Sequence, residues 1–148
     1  MTTALDAPAR RLMVVDDEES VRARVRAILE PEGWTVTEAS GGTQALTILL
    51  QPPMPDVVLV DLMIPGLDGF GVLSELRESR GISKLPIVIL STGGSLSARL
   101  AETHGADACL TKPVDPTALR TTCDRVAAAV RDGGRGWGAA RRAQPSAP

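Results

Sequence analysis

Residues 57–61 read VVLVD, a run of four aliphatic residues that ends in an acid. Because no polar residue interrupts it, the run is typical of a strand that is buried on both faces in a parallel sheet. Two more continuous runs, at residues 12–15 and 87–90, predict similar strands, and a shorter one is predicted at residues 108–111. Residues 34–38 alternate between apolar and polar side chains, which favours a strand at the edge of the sheet.

Amphipathic segments separate these strands. In the first segment Val21, Val25 and Leu29 recur at helical spacing, and Pro31 and Gly33 end the pattern. The arginines between them, which we expect to face away from the core, are Arg22, Arg24 and Arg26.

A second clear apolar stripe runs through residues 119–130 and includes Cys123, which we interpret as a small core residue. Further helices are predicted over residues 43–50, 70–80 and 96–104. Strands that alternate with helices predict an α/β fold, with a doubly wound, five-stranded parallel sheet of (βα)5 organisation.

The chain has 148 residues, the size of one domain with a hydrophobic core of its own. We expect that domain to span residues 10–130, after a flexible N-terminus at 1–9. Residues 131–148 are rich in Gly, Ala, Arg and Pro and cannot bury much apolar surface, so a flexible tail is predicted there.

Composition excludes several classes of protein. The formal net charge of −2 does not favour a nucleic acid or an anionic membrane, and the scarcity of aromatic residues argues against a single-strand binder. No apolar run approaches the length of a membrane span, and two cysteines in no metal-binding pattern indicate reduced thiols. We therefore expect a cytoplasmic protein.

Polar side chains follow four of the predicted strands. They are Asp16 and Asp17, Asp61, Ser91 and Thr92, and Lys112. In a doubly wound sheet these positions converge on one crevice, where three carboxylates would repel one another unless a hard cation such as Mg²⁺ lay among them. Asp61 could then act as a nucleophile toward a phosphoryl group, whose charge Lys112 and Ser91 could stabilise.

Four motifs at these positions resemble the receiver domain of two-component response regulators, a CheY-like superfamily with a flavodoxin-like fold. The motifs are VVDDEE at residues 14–19, DLMIPGLDG at 61–69, PIVILST at 86–92 and GADACLTKP at 105–113. Each motif by itself is a weak indication of this family, but the four motifs in this order and spacing are specific to it. The resemblance covers about residues 10–130.

The resemblance implies a role for each matching residue. Asp61 is the phosphoacceptor and also a ligand of Mg²⁺, Asp17 is the closer ligand, and Asp16 is a ligand partly through water. The backbone carbonyl of Met63 completes the protein ligands. Ser91 and Lys112 bind the phosphoryl group, and the bond before Pro113 is cis.

Two residues depart from the family pattern. Cys109 stands where the family usually has Tyr or Phe, so a rotating aromatic ring cannot carry the signal. Thr92 stands where Ala or Gly is frequent, and its bulk is expected to slow the entry of a small phosphodonor.

The resemblance implies a phosphoacceptor switch, not an enzyme, with a sensor histidine kinase or histidine phosphotransfer protein as donor and an unknown downstream protein as target. The last 18 residues are too few and too Gly-rich for a DNA-binding module, so neither DNA nor membrane is an expected partner. A homodimer through the last two predicted helices is compatible with this interpretation. Two alternatives stay open: a degenerate module that binds without phosphorylation, and an aspartyl-phosphate hydrolase, which Met63 disfavours because such enzymes usually carry an acid there.

Overall fold

The computed structural model describes residues 10–49, 51–62, 71, 74, 75, 78, 85–92, 99, 103 and 105–133, the last four through their backbone alone. The five strands are β1 (Arg10–Val15), β2 (Trp34–Ala39), β3 (Val57–Asp61), β4 (Ile87–Ser91) and β5 (Ala108–Thr111). The α-helices with defined bounds are α1 (Glu19–Leu29), α2 (Gly42–Leu49) and α3 (Pro116–Gly133), and a 3₁₀ turn spans Glu30–Glu32.

All strands are parallel and lie in the order β2-β1-β3-β4-β5. This order confirms the doubly wound α/β fold and the edge position of β2, and it puts the change of winding direction between β1 and β3. Strand β1 begins two residues before the apolar run, because Arg10 and Arg11 pair with Trp34 and Thr35. The Arg10 guanidinium also lies 5.6 Å from the centre of the Trp34 ring.

The sheet separates two apolar layers. On one face Met13 and Val15 pack with residues of α2, such as Ala45 and Leu49. On the other face Leu12 and Val14 pack with residues of α1 and α3, among them Val25, Leu119 and Cys123. Cys123 is fully buried and its burial raises the pKa of the thiol to about 12, so the interpretation as a core residue is confirmed.

Helix α1 ends where the sequence predicts. Pro31 lies in the 3₁₀ turn, and Gly33 follows it with φ 95°, a left-handed conformation that glycine adopts without strain. At the other end of the chain Asp115 caps α3, since its Oδ2 accepts a hydrogen bond of 2.8 Å from the N–H of Ala118. Helix α3 continues to Gly133, three residues past the predicted end at 130.

Two predicted helices fall largely outside the described residues. The described residues within 70–80 and 96–104 are helical, namely Gly71, Ser74, Glu75, Glu78, Arg99 and Thr103. Thr103 donates from its hydroxyl to the carbonyl of Arg99, four residues earlier, as a helix allows. Residues 1–9 and 134–148, in the predicted flexible segments, lie outside the described part. No helix among the described residues is long and apolar enough to cross a membrane.

Two aspartates extend the ladder at the amino ends of the strands. Asp107, buried before β5, accepts from the Ile87 N–H at 2.7 Å and donates its own N–H to the Ile87 carbonyl at 2.7 Å. Asp56, half-buried before β3, makes the same two bonds with Arg11. Its Oδ2 accepts from the Arg11 N–H at 2.8 Å, and its own N–H donates to the Arg11 carbonyl at 2.7 Å. Both carboxylates thus stand in for a backbone acceptor that the neighbouring strand lacks.

Asp107→Ala is expected to lower the unfolding free energy by about 2 kcal/mol, because it leaves the buried N–H of Ile87 without an acceptor. Urea denaturation of Asp107→Ala and Asp56→Ala measures this. Asp56→Ala is expected to cost less, since the hydrogen bond that it removes from the Arg11 N–H is only partly buried. Equal losses of stability in the two variants, or a larger loss in Asp56→Ala, would contradict this interpretation of the two hydrogen bonds.

Candidate functional site

The carboxyl ends of β1, β3, β4 and β5 meet at one edge of the sheet. Asp61 is the last residue of β3 and pairs in register with Leu90, one residue before Ser91 at the end of β4. Lys112 follows β5 and donates its N–H to the Ser91 carbonyl at 2.9 Å. Asp16 follows β1 and donates its N–H to the Ala39 carbonyl at 3.1 Å. The parallel sheet therefore collects the predicted residues, which lie far apart in the chain.

Lys112 is the centre of the charged cluster. Its Nζ lies 2.8 Å from Oδ2 of Asp16 and 3.2 Å from Oδ2 of Asp61, with Oε1 of Glu18 at 3.8 Å. The Lys112 side chain is 12% exposed, so these ion pairs are only partly screened by water. Burial lowers the pKa of Lys112, but the bonds with Asp16 and Asp61 outweigh it and hold that pKa above its ordinary value.

Asp16 is the most buried acid of the site, with no exposed surface. Its Oδ1 accepts from the Glu18 N–H at 2.9 Å, while Oδ2 accepts no well-oriented hydrogen bond despite its close ionic contact with Lys112. Burial raises the pKa of Asp16, and the charge of Asp61 adds to this, although Lys112 and the Glu18 N–H act against it. The Asp16 carboxylate is therefore a strong acceptor that the protein alone leaves incompletely satisfied.

The donor set fits a hard divalent cation. Carboxylate oxygens of Asp16, Asp17 and Glu18 all lie within 4.8 Å of one another, and Asp17 and Glu18 are exposed, so a hydrated ion can approach. Oxygen ligands and room for water suit Mg²⁺. Within this set, the closer role of Asp17 stays a prediction, and the Met63 carbonyl lies outside the described residues.

Several expectations from the family resemblance can be located. Ser91 is buried at the end of β4, and Thr92 is exposed beside it. The Lys112–Pro113 bond is cis, as the resemblance implies. Cys109 is half-buried and packs against the apolar layer that contains Met13. A small side chain thus takes the position where an aromatic ring is usual.

Three residues at the site were not singled out as functional from the sequence. Glu18 joins the acid cluster, whereas Arg22 and Arg24 were expected to face away from the core. The Arg22 side chain is only 15% exposed, because it binds both Glu38 and the Asp16 carbonyl at the carboxyl edge of the sheet. The available signal was Glu38, an acid at the end of the neighbouring strand that needs a cation.

The chain is similar in sequence to a known family and to curated proteins. A family model of the response regulator receiver domain matches residues 12–124. The chain is 40% identical over 110 residues to response regulator Rre1 of Synechocystis sp., covering 73% of this chain and 47% of that protein. It is 34% identical over 119 residues to protein PilH of Pseudomonas aeruginosa, covering 80% of this chain and 98% of that one.

The chain is also similar in structure to solved proteins. Chemotaxis protein CheY4 of Vibrio cholerae is similar with a TM-score of 0.74 and 29% identity, over 80% of this chain and 99% of that one. The chain spans less than half the length of several curated relatives that it matches, for example 42% and 45% of two of them.

Proposed function

This chain belongs to the response regulator receiver domain family, and we propose that it is a switch that takes a phosphoryl group onto Asp61 with Mg²⁺. The observation that carries the proposal is the position of Asp61. It lies at the end of β3 with 6% exposure, 3.2 Å from Nζ of Lys112 and beside a cluster of acids. Such a carboxylate is poised as a nucleophile and not as a surface charge.

The transfer can be written with this chain's own groups. A carboxylate oxygen of Asp61 forms a bond to phosphorus, and the bond from phosphorus to the donor nitrogen breaks. The electron pair of the breaking bond stays on the imidazole nitrogen of the donor histidine. That imidazole takes up a proton from solvent and leaves as a neutral base. The product at Asp61 is an acyl phosphate.

Charge compensation is the main catalytic requirement, because the transferred group carries negative charge on its equatorial oxygens. Asp16 and Asp17 would hold Mg²⁺, which supplies positive charge to the phosphoryl oxygens when bound. Lys112 already lies 3.2 Å from Asp61 and can pair with a phosphoryl oxygen in place of the carboxylate. Ser91, the last residue of the adjacent strand, would donate its hydroxyl to another.

Phosphorylation would change which groups Lys112 and Ser91 bind. A two-state switch needs about 5.5 kcal/mol of differential stabilisation to pass almost completely from one state to the other. Several charge-assisted hydrogen bonds can supply a large part of that. We propose that a downstream protein then recognises the phosphorylated state through the fourth and fifth helices in chain order. These are the helix predicted at residues 96–104 and α3. A cytoplasmic location, a histidine kinase or phosphotransfer protein as donor, and a homodimer through the same helices belong to this proposal.

Beryllofluoride, a phosphoryl analogue, tests the proposal directly. Wild-type protein is expected to bind it in a Mg²⁺-dependent manner, measured as a rise in melting temperature, and Asp61→Asn is expected to abolish the rise. Asp56→Asn, at the amino end of the same strand, is the matched control and should retain it. A wild-type protein with no Mg²⁺-dependent response would overturn the proposed function.

Thr92 is exposed next to buried Ser91, and we expect its bulk to hinder a small phosphodonor, so that Thr92→Ala increases the rate of phosphorylation by acetyl phosphate. Intact-protein mass spectrometry of the phosphorylated fraction over time measures the rate. Thr111→Ala, which shortens an exposed threonine at the end of β5, is the control. An unchanged or slower rate in Thr92→Ala would sink the steric explanation.

A further inference from the structure

Helix α1 directs one arginine at the backbone that carries Asp16. Nη1 of Arg22 donates to the Asp16 carbonyl at 2.6 Å, and Nε of the same guanidinium donates to Oε1 of Glu38 at 2.8 Å. One planar cation therefore joins the end of β1 to the end of β2. Neither contact touches the Asp16 carboxylate.

Both backbone polar groups of Asp16 are held by the end of β2. Its N–H donates to the Ala39 carbonyl at 3.1 Å, and its carbonyl is reached through Arg22 and Glu38. The other oxygen of Glu38 accepts from Nη1 of Arg26 at 2.9 Å. The hydrogen bonds from Arg26 and Arg22 hold the pKa of Glu38 below its ordinary value, so it stays charged at neutral pH.

A second arginine of α1 holds the segment that carries Lys112. Nε of Arg24 donates to the Val114 carbonyl at 2.9 Å, two residues after Lys112. On the other side the Lys112 N–H donates to the Ser91 carbonyl at 2.9 Å. The lysine is thus fixed between a strand and a helix.

We propose that Arg22 and Arg24 are positioning residues that set the places of Asp16 and Lys112 relative to each other, and that this placement determines Mg²⁺ affinity and phosphotransfer. The inference rests on the proposed function of the site. The two arginines act through backbone carbonyls, and so they influence the metal and the phosphoryl group without touching either. Groups behind a metal ligand commonly matter in this way, because they fix its orientation.

Arg22→Gln is expected to weaken Mg²⁺ binding about tenfold, measured by isothermal titration calorimetry. Arg26→Gln is the matched control, because it removes the same charge from the same helix and also breaks a bond to Glu38, but does not contact Asp16. It should bind Mg²⁺ within about twofold of wild type, well short of the effect of losing a supporting group.

The direction of the effect separates positioning from electrostatics. Removing a positive charge near a cation site should by itself tighten Mg²⁺ binding. Weaker binding in Arg22→Gln therefore cannot come from the change of charge. Melting temperatures without metal, measured for both variants, show whether a loss of stability accompanies it.

Arg24→Gln is expected to act on the other half of the site. At saturating Mg²⁺ it should slow phosphorylation by acetyl phosphate about tenfold, because Lys112 is no longer held in place. Mg²⁺ affinity should stay close to that of wild type. If both quantities stay unchanged, Arg24 has no positioning role.

The outcomes distinguish this inference from the function on which it rests. If wild type binds no Mg²⁺, the proposed function and the inference both fail. If wild type binds Mg²⁺ and Arg22→Gln and Arg26→Gln bind it equally well, the function stands and the role of Arg22 is overturned. Should Arg22→Gln fail to fold, Arg22→Lys and Arg26→Lys take their places, with weaker binding again expected only for position 22.

Discussion

Lys112→Met is expected to lower the unfolding free energy of the metal-free protein at pH 7 by about 2 kcal/mol. The substitution leaves Asp16, which has no exposed surface, without its cation at 2.8 Å. Removing one partner of a fully buried pair costs more, but the Lys112 side chain retains 12% exposure and water can partly replace it. Urea denaturation in the presence of a chelator measures the loss.

The loss should depend on pH in a defined direction. The raised pKa of Asp16 means that this carboxyl contributes stability at acidic pH that is lost as pH rises through its folded-state pKa. Without Lys112 that pKa rises further, so the deficit of Lys112→Met relative to wild type should shrink as the pH is lowered and Asp16 takes up a proton.

Two controls make the cause specific. Adding Asp16→Asn to Lys112→Met should recover most of the lost stability, since no charge is then left unpaired at position 16. Arg125→Met, which removes a positive charge from an exposed position of α3, should change stability little. A Lys112→Met protein that unfolds at the same urea concentration as wild type would contradict the account of this ion pair.

Asp16→Asn is expected to weaken Mg²⁺ binding by at least about a hundredfold, because it removes a charged oxygen ligand and keeps the side-chain shape. Glu32→Gln, an exposed acid in the 3₁₀ turn, makes the same change of charge away from the site and should have little effect. Calorimetric titration with Mg²⁺ compares the two. Equal affinities would show that Asp16 is not a ligand.

The pH dependence of Mg²⁺ binding gives a second readout for Asp16. A proton and the cation compete for its carboxylate, so affinity should fall as pH decreases. Since burial raises the pKa of Asp16, this fall should begin at a higher pH than for an ordinary aspartate. Asp16→Asn should lose that part of the pH dependence.

Much of the fold could be predicted because local pattern and burial agree. The runs at β3 and β4 contain only aliphatic residues until their last position, and every residue in both strands is buried. The start of β1 could not be predicted, because Arg10 and Arg11 are stabilised there by pairing with β2 and by the Trp34 ring, which are long-range contacts. The extension of α3 to Gly133 was missed because its last turn lacks the apolar pattern.

The same distinction holds at the site. Asp16, Asp61 and Lys112 could be predicted to converge because each follows a strand, and a parallel sheet brings such positions together. Arg22 could not, since helical periodicity records which residues avoid the core and not what a long polar side chain reaches. Its contact with the Asp16 carbonyl depends on the neighbouring β2 and its Glu38.

Chemical trapping of the phosphorylated residue tests the central claim most directly. Borohydride reduces an aspartyl phosphate to homoserine, and peptide mass spectrometry then identifies the modified position. After incubation with acetyl phosphate and Mg²⁺, homoserine is predicted at position 61 and at no other aspartate, with none formed when the Mg²⁺ is chelated. Homoserine at Asp16 or Asp17, or no trapped product at all, would contradict the account.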